Sequence, residues 1–215
     1  RDGSALVDKA IEYQIETCND FLFFVSETVY DFNIDLDIAC VNISHISTYV
    51  FDLQEFKHPG NEEGDIVSLK DYDFSSMLYN MALSIESRFY GKGCATRKLN
   101  SYLSLAKEND KFTYYGVFKD DDLIGYCYCF MGNEGIIIDN IFIRRKYREQ
   151  NIGSALIKKI IDLNKNSKVF IHTDQHEDSD DMYLSLGFKK VDTVYCLCLP
   201  NLGGEVKIEK HKKFC

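Results

Sequence analysis

The chain has 215 residues, of which 45% are hydrophobic and 27% charged, and its formal net charge at pH 7 is -9. This hydrophobic content is ample for a packed core, which disfavours disorder. No apolar run reaches the roughly 18 residues of a membrane-spanning helix. The negative charge argues against a nucleic acid partner, because phosphate contacts need a positive field. We therefore expect neither a membrane nor a nucleic acid partner.

The acidic residues are concentrated in the first 60 residues. This stretch holds 3 basic and 11 acidic residues, whereas the remainder holds 22 basic and 23 acidic ones, so the net charges are -8 and -1. Spacing of apolar residues predicts an amphipathic helix over 4–17 and strands over 21–27, 34–43 and 45–53. This segment contains no chemical motif, and its role stays open.

A linker over residues 57–65, with one proline, two glycines and several acids, predicts a domain boundary. We expect a small N-terminal α+β extension over 1–60, a domain over 61–200 and a C-terminal tail over 201–215. In the domain, patterning predicts strands over 66–70, 112–118, 123–131, 136–143, 169–172 and 187–199, and helices over 73–90, 96–108, 152–164 and about 178–186. This order is that of a mixed α/β domain.

The eight cysteines raise the question of disulfides or a zinc site. Cys127 and Cys129, like Cys196 and Cys198, are two positions apart in apolar strands, so each pair lies on one face. Thiolate zinc sites usually use C-x2-C loops instead. We predict buried thiols in a reducing cytoplasm, and no metal.

A basic turn joins the most apolar predicted strand to a helix. The stretch IDNIFIRRKYREQNIGSALIKKI, residues 138–160, carries Arg144, Arg145, Lys146 and Arg148. A strand that enters a helix through such a turn gathers backbone N–H groups and the positive helix end at one point. That arrangement suits a pyrophosphate. On this stretch alone, an ordinary strand–helix turn with a basic rim stays open as the alternative.

This turn resembles the acetyl-coenzyme A signature of the GNAT superfamily of N-acyltransferases, whose core pattern is Q/R-x-x-G-x-G/A. The residues in that pattern are Arg148, Glu149, Gln150, Asn151, Ile152 and Gly153, followed by Ser154. IDNIFI resembles the family's fourth strand, and DMYLSLGF resembles its second signature. The resemblance covers residues 65–199 in element order. It implies a mixed, mostly antiparallel central sheet flanked by helices, with acetyl-CoA bound by the residues of the pattern.

The sequence departs from the family pattern at two positions of the turn. Asn151 stands where the family usually has its first glycine, and asparagine is the residue that best tolerates a left-handed backbone in place of glycine. Glu149 brings a carboxylate near anionic phosphates and must point to solvent. Many relatives also carry a cofactor-contacting asparagine after the fifth strand, where this chain has Gln175 and His176. These departures concern cofactor affinity rather than the fold.

The resemblance also implies roles for residues near the thioester. The pantetheine arm would follow Ile141, Phe142 and Ile143, through the backbone of the first and third, and an N–H there would polarise the thioester carbonyl. Tyr183 matches the family tyrosine that protonates the leaving thiolate, with a buried structural tyrosine as the alternative. Asp139 matches the acidic residue that takes the amine proton; alternatively it only positions the substrate or caps a turn.

The loop over residues 172–182 is rich in acidic and histidine side chains. Its acids are Asp174, Glu177, Asp178, Asp180 and Asp181. Acids are favourable near a helix N-terminus, and the remainder of the negative charge favours a cationic acceptor. His172 and His176 form a candidate metal pair, but one is predicted to end a strand and the other to lie in a loop. Their spacing gives little support for a metal.

We therefore predict an N-acetyltransferase that moves an acetyl group from acetyl-CoA to a primary amine of a small molecule or peptide by direct transfer. A cysteine relay is disfavoured, because no cysteine has an obvious histidine partner. The sequence does not choose the acceptor. Asn151, Glu149 and the missing loop asparagine motivate an alternative: a catalytically degenerate coenzyme A-binding or protein-interaction module. Strand-like alternation in residues 1–60 leaves open a homodimerisation or substrate-covering arm.

Overall fold

The computed structural model describes residues 21–26, 42–51, 64–174 and 180–200. The chain divides into two compact units. In the smaller unit, strand β1 (Phe21–Ser26) pairs antiparallel with the second half of strand β8 (Lys189–Pro200), and Phe21 lies opposite Pro200. The strand predicted over 21–27 is thereby confirmed.

The larger unit comprises residues 48–173 and 179–191. Its elements in chain order are the end of β2 (Asn42–Phe51), β3 (Asp65–Ser68), α1 (Ser75–Glu108), β4 (Phe112–Lys119), β5 (Asp122–Met131), β6 (Gly135–Ile143), a 3-10 turn (Arg145–Tyr147), α2 (Ile152–Leu163), β7 (Lys168–Asp174), α3 (Asp180–Ser185) and the start of β8. This order confirms the one predicted for residues 65–199.

Five strands of the larger unit form a sheet in the order β7-β6-β5-β4-β3. The pairs β3–β4, β4–β5 and β5–β6 are antiparallel, whereas β6 and β7 are parallel. This confirms the predicted mixed, mostly antiparallel sheet. The tight turn between β4 and β5 places Asp120 and Asp121 at φ values of 50° and 63°. Such a left-handed pair is typical of two-residue hairpin turns, whose twist matches that of the strands.

Helices cover both faces of this sheet. Cys127 and Cys129 of β5 share a buried cluster with Leu156 of α2, whereas Tyr126 of the same strand shares a second cluster with Leu78 of α1. The period-2 alternation of β5 thus divides its side chains between the two layers. The buried thiols predicted for this strand are confirmed, with exposures of 0% and 3%, and burial raises the pKa of the Cys127 thiol.

Helix α1 is kinked at Gly91, where φ is 74° and ψ is 155°. A positive φ of this kind favours glycine because it has no Cβ. The kink separates two helical segments that correspond to the helices predicted over 73–90 and 96–108. Among the described residues, no helix is both long enough and apolar enough to cross a membrane.

The end of β2 belongs to the core of the larger unit. Tyr49 and Phe51 are 0% and 2% exposed, and their rings lie 5.5 Å from that of Tyr183 and 5.4 Å from that of Phe188. Part of the predicted N-terminal extension therefore packs against the segment carrying the second signature. The domain boundaries themselves stay a prediction. The helix predicted over 4–17, most of the strand over 34–43 and the tail lie outside the described residues.

Candidate active site

Strand β6 has an edge that is only half paired. It pairs with β7 over Gly135–Ile138, opposite Lys168–Ile171, yet it continues to pair with β5 as far as Ile143. Among the described strand pairs, none covers the β7-facing edge of β6 from Asp139 to Ile143. Backbone N–H and C=O groups on such an edge need partners. This is the edge on which Ile141, Phe142 and Ile143 were predicted to hold a pantetheine arm.

A β-bulge lies at the start of this free edge. Tyr126 of β5 is opposite Phe142, and Tyr128 is opposite Asp139, so a single β5 residue faces Asn140 and Ile141. Asn140 has a φ of 51°. An extra residue in one strand bends it and redirects its backbone groups. Asn140 is not among the residues predicted from the sequence, although an asparagine inside an apolar strand is a signal for a left-handed position.

The turn after β6 leads into α2, whose first backbone N–H groups lack helical partners. Its first helical hydrogen bond runs from Ala155 N–H to Asn151 O at 2.9 Å, and the Asn151 side chain does not cap the helix. The N–H groups of Ile152, Gly153 and Ser154 therefore have no partner within α2. Such a helix start, preceded by left-handed residues, suits an anion.

Two residues of this turn have positive φ values. Asn151 has a φ of 60° and Glu149 one of 62°, so the left-handed backbone expected at Asn151 is confirmed. Glu149 is exposed, in agreement with the expectation that its side chain points to solvent. Its left-handed backbone was not predicted, because glutamate has no intrinsic preference for that region. Two strained positions in three residues indicate a turn held by its surroundings.

The side chain of Arg148 ties the turn to the end of β6. Its Nε donates a hydrogen bond of 3.0 Å to Ile143 O, and its guanidinium lies 5.8 Å from the centre of the Phe142 ring. The Gln150 amide donates to Lys146 O at 3.2 Å. These contacts shape the turn, and the predicted cofactor-binding roles of Arg148 and Gln150 stay predictions.

A buried ionic network anchors the bulge from the α1 side. Glu86, which is 5% exposed, accepts hydrogen bonds from Lys98 Nζ at 3.0 and 2.9 Å. It also accepts one of 3.2 Å from the Asn140 side-chain amide. The network links both segments of kinked α1 to β6. Sequence reasoning missed it, because charged helix residues usually face solvent and nothing in the local pattern pairs residues so far apart.

Asp139 lies next to the bulge and is half-buried. Its Oδ2 accepts a hydrogen bond of 2.7 Å from the Tyr128 hydroxyl, and its Oδ1 accepts one of 2.6 Å from Asn140 N–H. Burial and the Asp139 charge raise the pKa of Tyr128 above its usual value. Each carboxylate oxygen keeps a further lone pair, so a third donor such as an amine can still bind.

Tyr183 is held in a buried aromatic cluster. It is 4% exposed and lies on the α2 and α3 face of the sheet. Its ring is 5.5 Å from that of Tyr49 and 6.2 Å from that of Phe188. Burial and a hydrogen bond to Asp180 raise the pKa of Tyr49 to about 12. The environment of Tyr183 thus depends on β2, and its role as general acid stays a prediction.

No group of three His, Cys, Asp or Glu residues within the described ranges is arranged to hold a metal ion. His172 lies within β7, whereas its predicted partner His176 falls outside the described residues, as do Gln175, Glu177 and Asp178. The side chains of Asp174, Cys196 and Cys198 are likewise not described.

Solved structures share this fold. A protein of unknown function from Staphylococcus epidermidis aligns with a TM-score of 0.74 at 17% identity, covering 94% of this chain and 82% of that one. A protein assigned to the GNAT acetyltransferases, from Novosphingobium aromaticivorans, aligns with a TM-score of 0.55 at 14% identity, covering 88% and 80%. A tandem GNAT protein of the clavulanic acid biosynthesis pathway also gives 0.55, at 14% identity, covering 95% and 71%. At these identities the similarity shows the fold alone.

The sequence itself identifies the family. No curated protein matches the chain significantly. A sequence profile of the acetyltransferase (GNAT) family matches residues 75–188, which is more than half of the chain and includes both signatures. The chain therefore belongs to the GNAT acetyltransferase family.

Proposed function

We propose that the protein transfers an acetyl group from acetyl-CoA to a primary amine of a small molecule or peptide, directly and within a ternary complex. The observation that carries this proposal is the free edge of β6, bulged at Asn140, which leads into a turn with unpartnered amides. A linear cofactor with a diphosphate at one end and a hydrogen-bonding arm at the other suits such a track.

In this proposal the cofactor lies along the β6 edge. The N–H groups of Ile152, Gly153 and Ser154, with the left-handed turn before them, bind the diphosphate. The pantetheine arm pairs with the backbone of Ile141 and Ile143. The bulge then brings the thioester beside a backbone N–H that stabilises the negative charge on its carbonyl oxygen during the reaction.

The reaction moves three protons. The acceptor ammonium first gives one proton to solvent. The resulting amine nitrogen forms a bond to the thioester carbon and passes a second proton to Asp139, directly or through water, while the C–S bond breaks. The Tyr183 hydroxyl, which carries its proton at neutral pH because the reference pKa of a phenol is about 10, gives that proton to the departing thiolate. Before deprotonation the acceptor is cationic, and the negative charge of Asp139 near the bulge favours its approach.

Two observations favour a second candidate, the catalytically degenerate coenzyme A-binding module. Tyr183 is almost fully buried, and both oxygens of Asp139 already accept hydrogen bonds. Free-thiol release from acetyl-CoA on an amine panel separates the two. The enzyme releases thiol in an amine-dependent manner and loses most of this activity in Tyr183→Phe. A binding module shows calorimetric binding of acetyl-CoA without turnover, and Tyr183→Phe leaves that binding intact.

Gly153 offers a sharper test of the cofactor site. A Cβ at this position would meet nothing closer than 3.9 Å, at Ile143, so Gly153→Ala and Gly153→Asp both fit the fold. Aspartate even favours the first turn of a helix. We expect Gly153→Asp to keep the melting temperature and to lower acetyl-CoA affinity at least tenfold by repelling the diphosphate, roughly 1.4 kcal/mol. Equal affinity for acetyl-CoA in Gly153→Ala and Gly153→Asp would refute the proposed diphosphate site.

A further inference from the structure

We propose that the acceptor amine carries an anionic group, a carboxylate or a phosphate, and that this group binds to arginines in a cavity between α1, the start of β5 and the end of β6. The inference rests on the proposed function and names its substrate class. It adds a negative end to an acceptor whose amine is positive.

The cavity has the size and the lining of a small-molecule site. Its volume is about 730 Å³, and pockets of roughly 300 to 1,000 Å³ are typical for small ligands. One face of α1 forms a wall, with Met81, Ile85 and Arg88 spaced three to four residues apart. Leu123 of β5 and Phe142 of β6 complete the apolar part.

The charge in this cavity is strongly one-sided. Arg88, Arg144, Arg145 and Arg148 line it against a single acid, Asp122, in a chain whose net charge is -9. In the part of the chain that the structure describes, none of these four arginines forms an ion pair. Guanidinium groups that converge without acidic partners repel one another. A bound carboxylate or phosphate relieves this repulsion and matches the donor fork of arginine.

The cavity adjoins the proposed reaction centre. Phe142, in its wall, is two residues from the bulge at Asn140. Ile85, also in the wall, directly precedes Glu86, whose carboxylate accepts a hydrogen bond from Asn140. A ligand with its anion at the arginines would therefore extend its other end toward the bulge. Arg148 already uses its Nε to bind Ile143 O, so Arg88, Arg144 and Arg145 are the main anion-binding candidates.

The test compares matched amines that differ only in an anionic group. The pairs are phosphoethanolamine with ethanolamine, β-alanine with ethylamine, and lysine with cadaverine, each measured by kcat/KM for thiol release from acetyl-CoA. In each pair we expect the amine that carries the carboxylate or phosphate to have the higher kcat/KM. Arg88→Gln should lower this preference about tenfold, the effect of losing a charge-assisted hydrogen bond, and Arg88→Lys should restore part of it. Arg97→Gln, which removes an exposed guanidinium of α1 outside the cavity, is the control.

Other outcomes overturn the inference. It fails if the amines that lack the anionic group are preferred, or if Arg88→Gln and Arg97→Gln change the preference equally. It also fails if Arg88→Gln weakens calorimetric binding of CoA but not of dephospho-CoA, since the arginines would then hold the 3′-phosphate of the cofactor. If no amine is acetylated, the proposed function fails. The anion site is then tested separately, by comparing the melting temperature of the protein in millimolar phosphoethanolamine with that in millimolar ethanolamine. Selective stabilisation that disappears in Arg88→Gln supports it, and no selectivity refutes it.

Discussion

The buried pair of Glu86 and Lys98 makes an asymmetric stability prediction. The Glu86 side chain is 6% exposed, whereas that of Lys98 is 29% exposed. Lys98→Met leaves a carboxylate in the core with Asn140 as its remaining donor. Glu86→Gln leaves an ammonium that reaches water and still finds an amide oxygen to which it can donate. We therefore expect the lysine substitution to cost more than the glutamate substitution.

The exposed fractions of the two side chains determine the expected losses in the free energy of unfolding. Breaking a buried ion pair by removing one partner costs about 3 to 5 kcal/mol, and partial exposure of Lys98 places Lys98→Met near the lower end. Glu86→Gln replaces a charge-assisted hydrogen bond by a neutral one and should cost about 1 kcal/mol. For a chain of this length these values correspond to losses of about 6 to 12 °C and about 2 to 4 °C in melting temperature. The double variant should lose less stability than the sum of the two single losses, because the two side chains are in contact.

Urea unfolding followed by far-UV circular dichroism measures these costs, since the chain has no tryptophan. Lys158→Met is the matched control: it breaks a pair with Asp162 whose side chains are 35% and 46% exposed, and exposed pairs of this spacing contribute about 0.5 kcal/mol or less. The reasoning is refuted if Lys98→Met costs no more than Lys158→Met. It is equally refuted if Glu86→Gln costs more than Lys98→Met.

Three further predictions concern backbone strain and titration. Asn151→Gly should keep the melting temperature and acetyl-CoA affinity, whereas Asn151→Ala should cost about 1 kcal/mol by urea unfolding, because alanine is strained in a left-handed position. At the bulge, Asn140→Ala should cost more than Asn140→Gly, since both lose the bond to Glu86 but only alanine adds left-handed strain; equal costs would contradict the assigned φ. Tyr128 has a raised pKa in the folded state, so its contribution to stability is complete below the unfolded value of about 10 and is lost as the pH rises above it. The free energy of unfolding should therefore decrease less from neutral to strongly alkaline pH in Tyr128→Phe than in the parent chain. An equal decrease in both chains would show that Tyr128 is not the group responsible.

The elements of the domain were predictable because their signals are local. Apolar spacing located the strands and helices over residues 65–199, and an asparagine in place of the family's first glycine predicted the left-handed backbone of Asn151. The bulge network was not predictable in the same way. Glu86 and Asn140 are separated by 54 positions and meet only after α1 packs on the sheet. Neither position carries a local pattern that distinguishes a buried anchor from a solvated side chain.

The contribution of β2 was missed for a related reason. Tyr49 lies in a segment whose composition differs from that of the domain, and acidic composition describes surface rather than core. Its buried ring nevertheless packs against Tyr183. Similarly, the four arginines of the cavity appeared in the sequence as a basic turn plus one isolated helix residue. The four arginines line one cavity because α1 packs over the start of β5 and the end of β6, which brings Arg88 to the basic turn.

Asn140 is the point at which the two proposed ligands would meet. Its backbone forms the bulge on the edge of β6 along which the cofactor is proposed to lie. Its side chain donates a hydrogen bond to Glu86, which directly follows Ile85 in the wall of the proposed acceptor cavity. A shift of α1 on acceptor binding would act on Glu86 and hence on the orientation of the backbone groups beside the thioester. The bulge that would position the thioester is thus restrained, through Glu86, by the helix that would bind the amine. We therefore expect the Glu86–Lys98 pair to serve more than stability, since buried ion pairs by themselves often stabilise no more than apolar replacements.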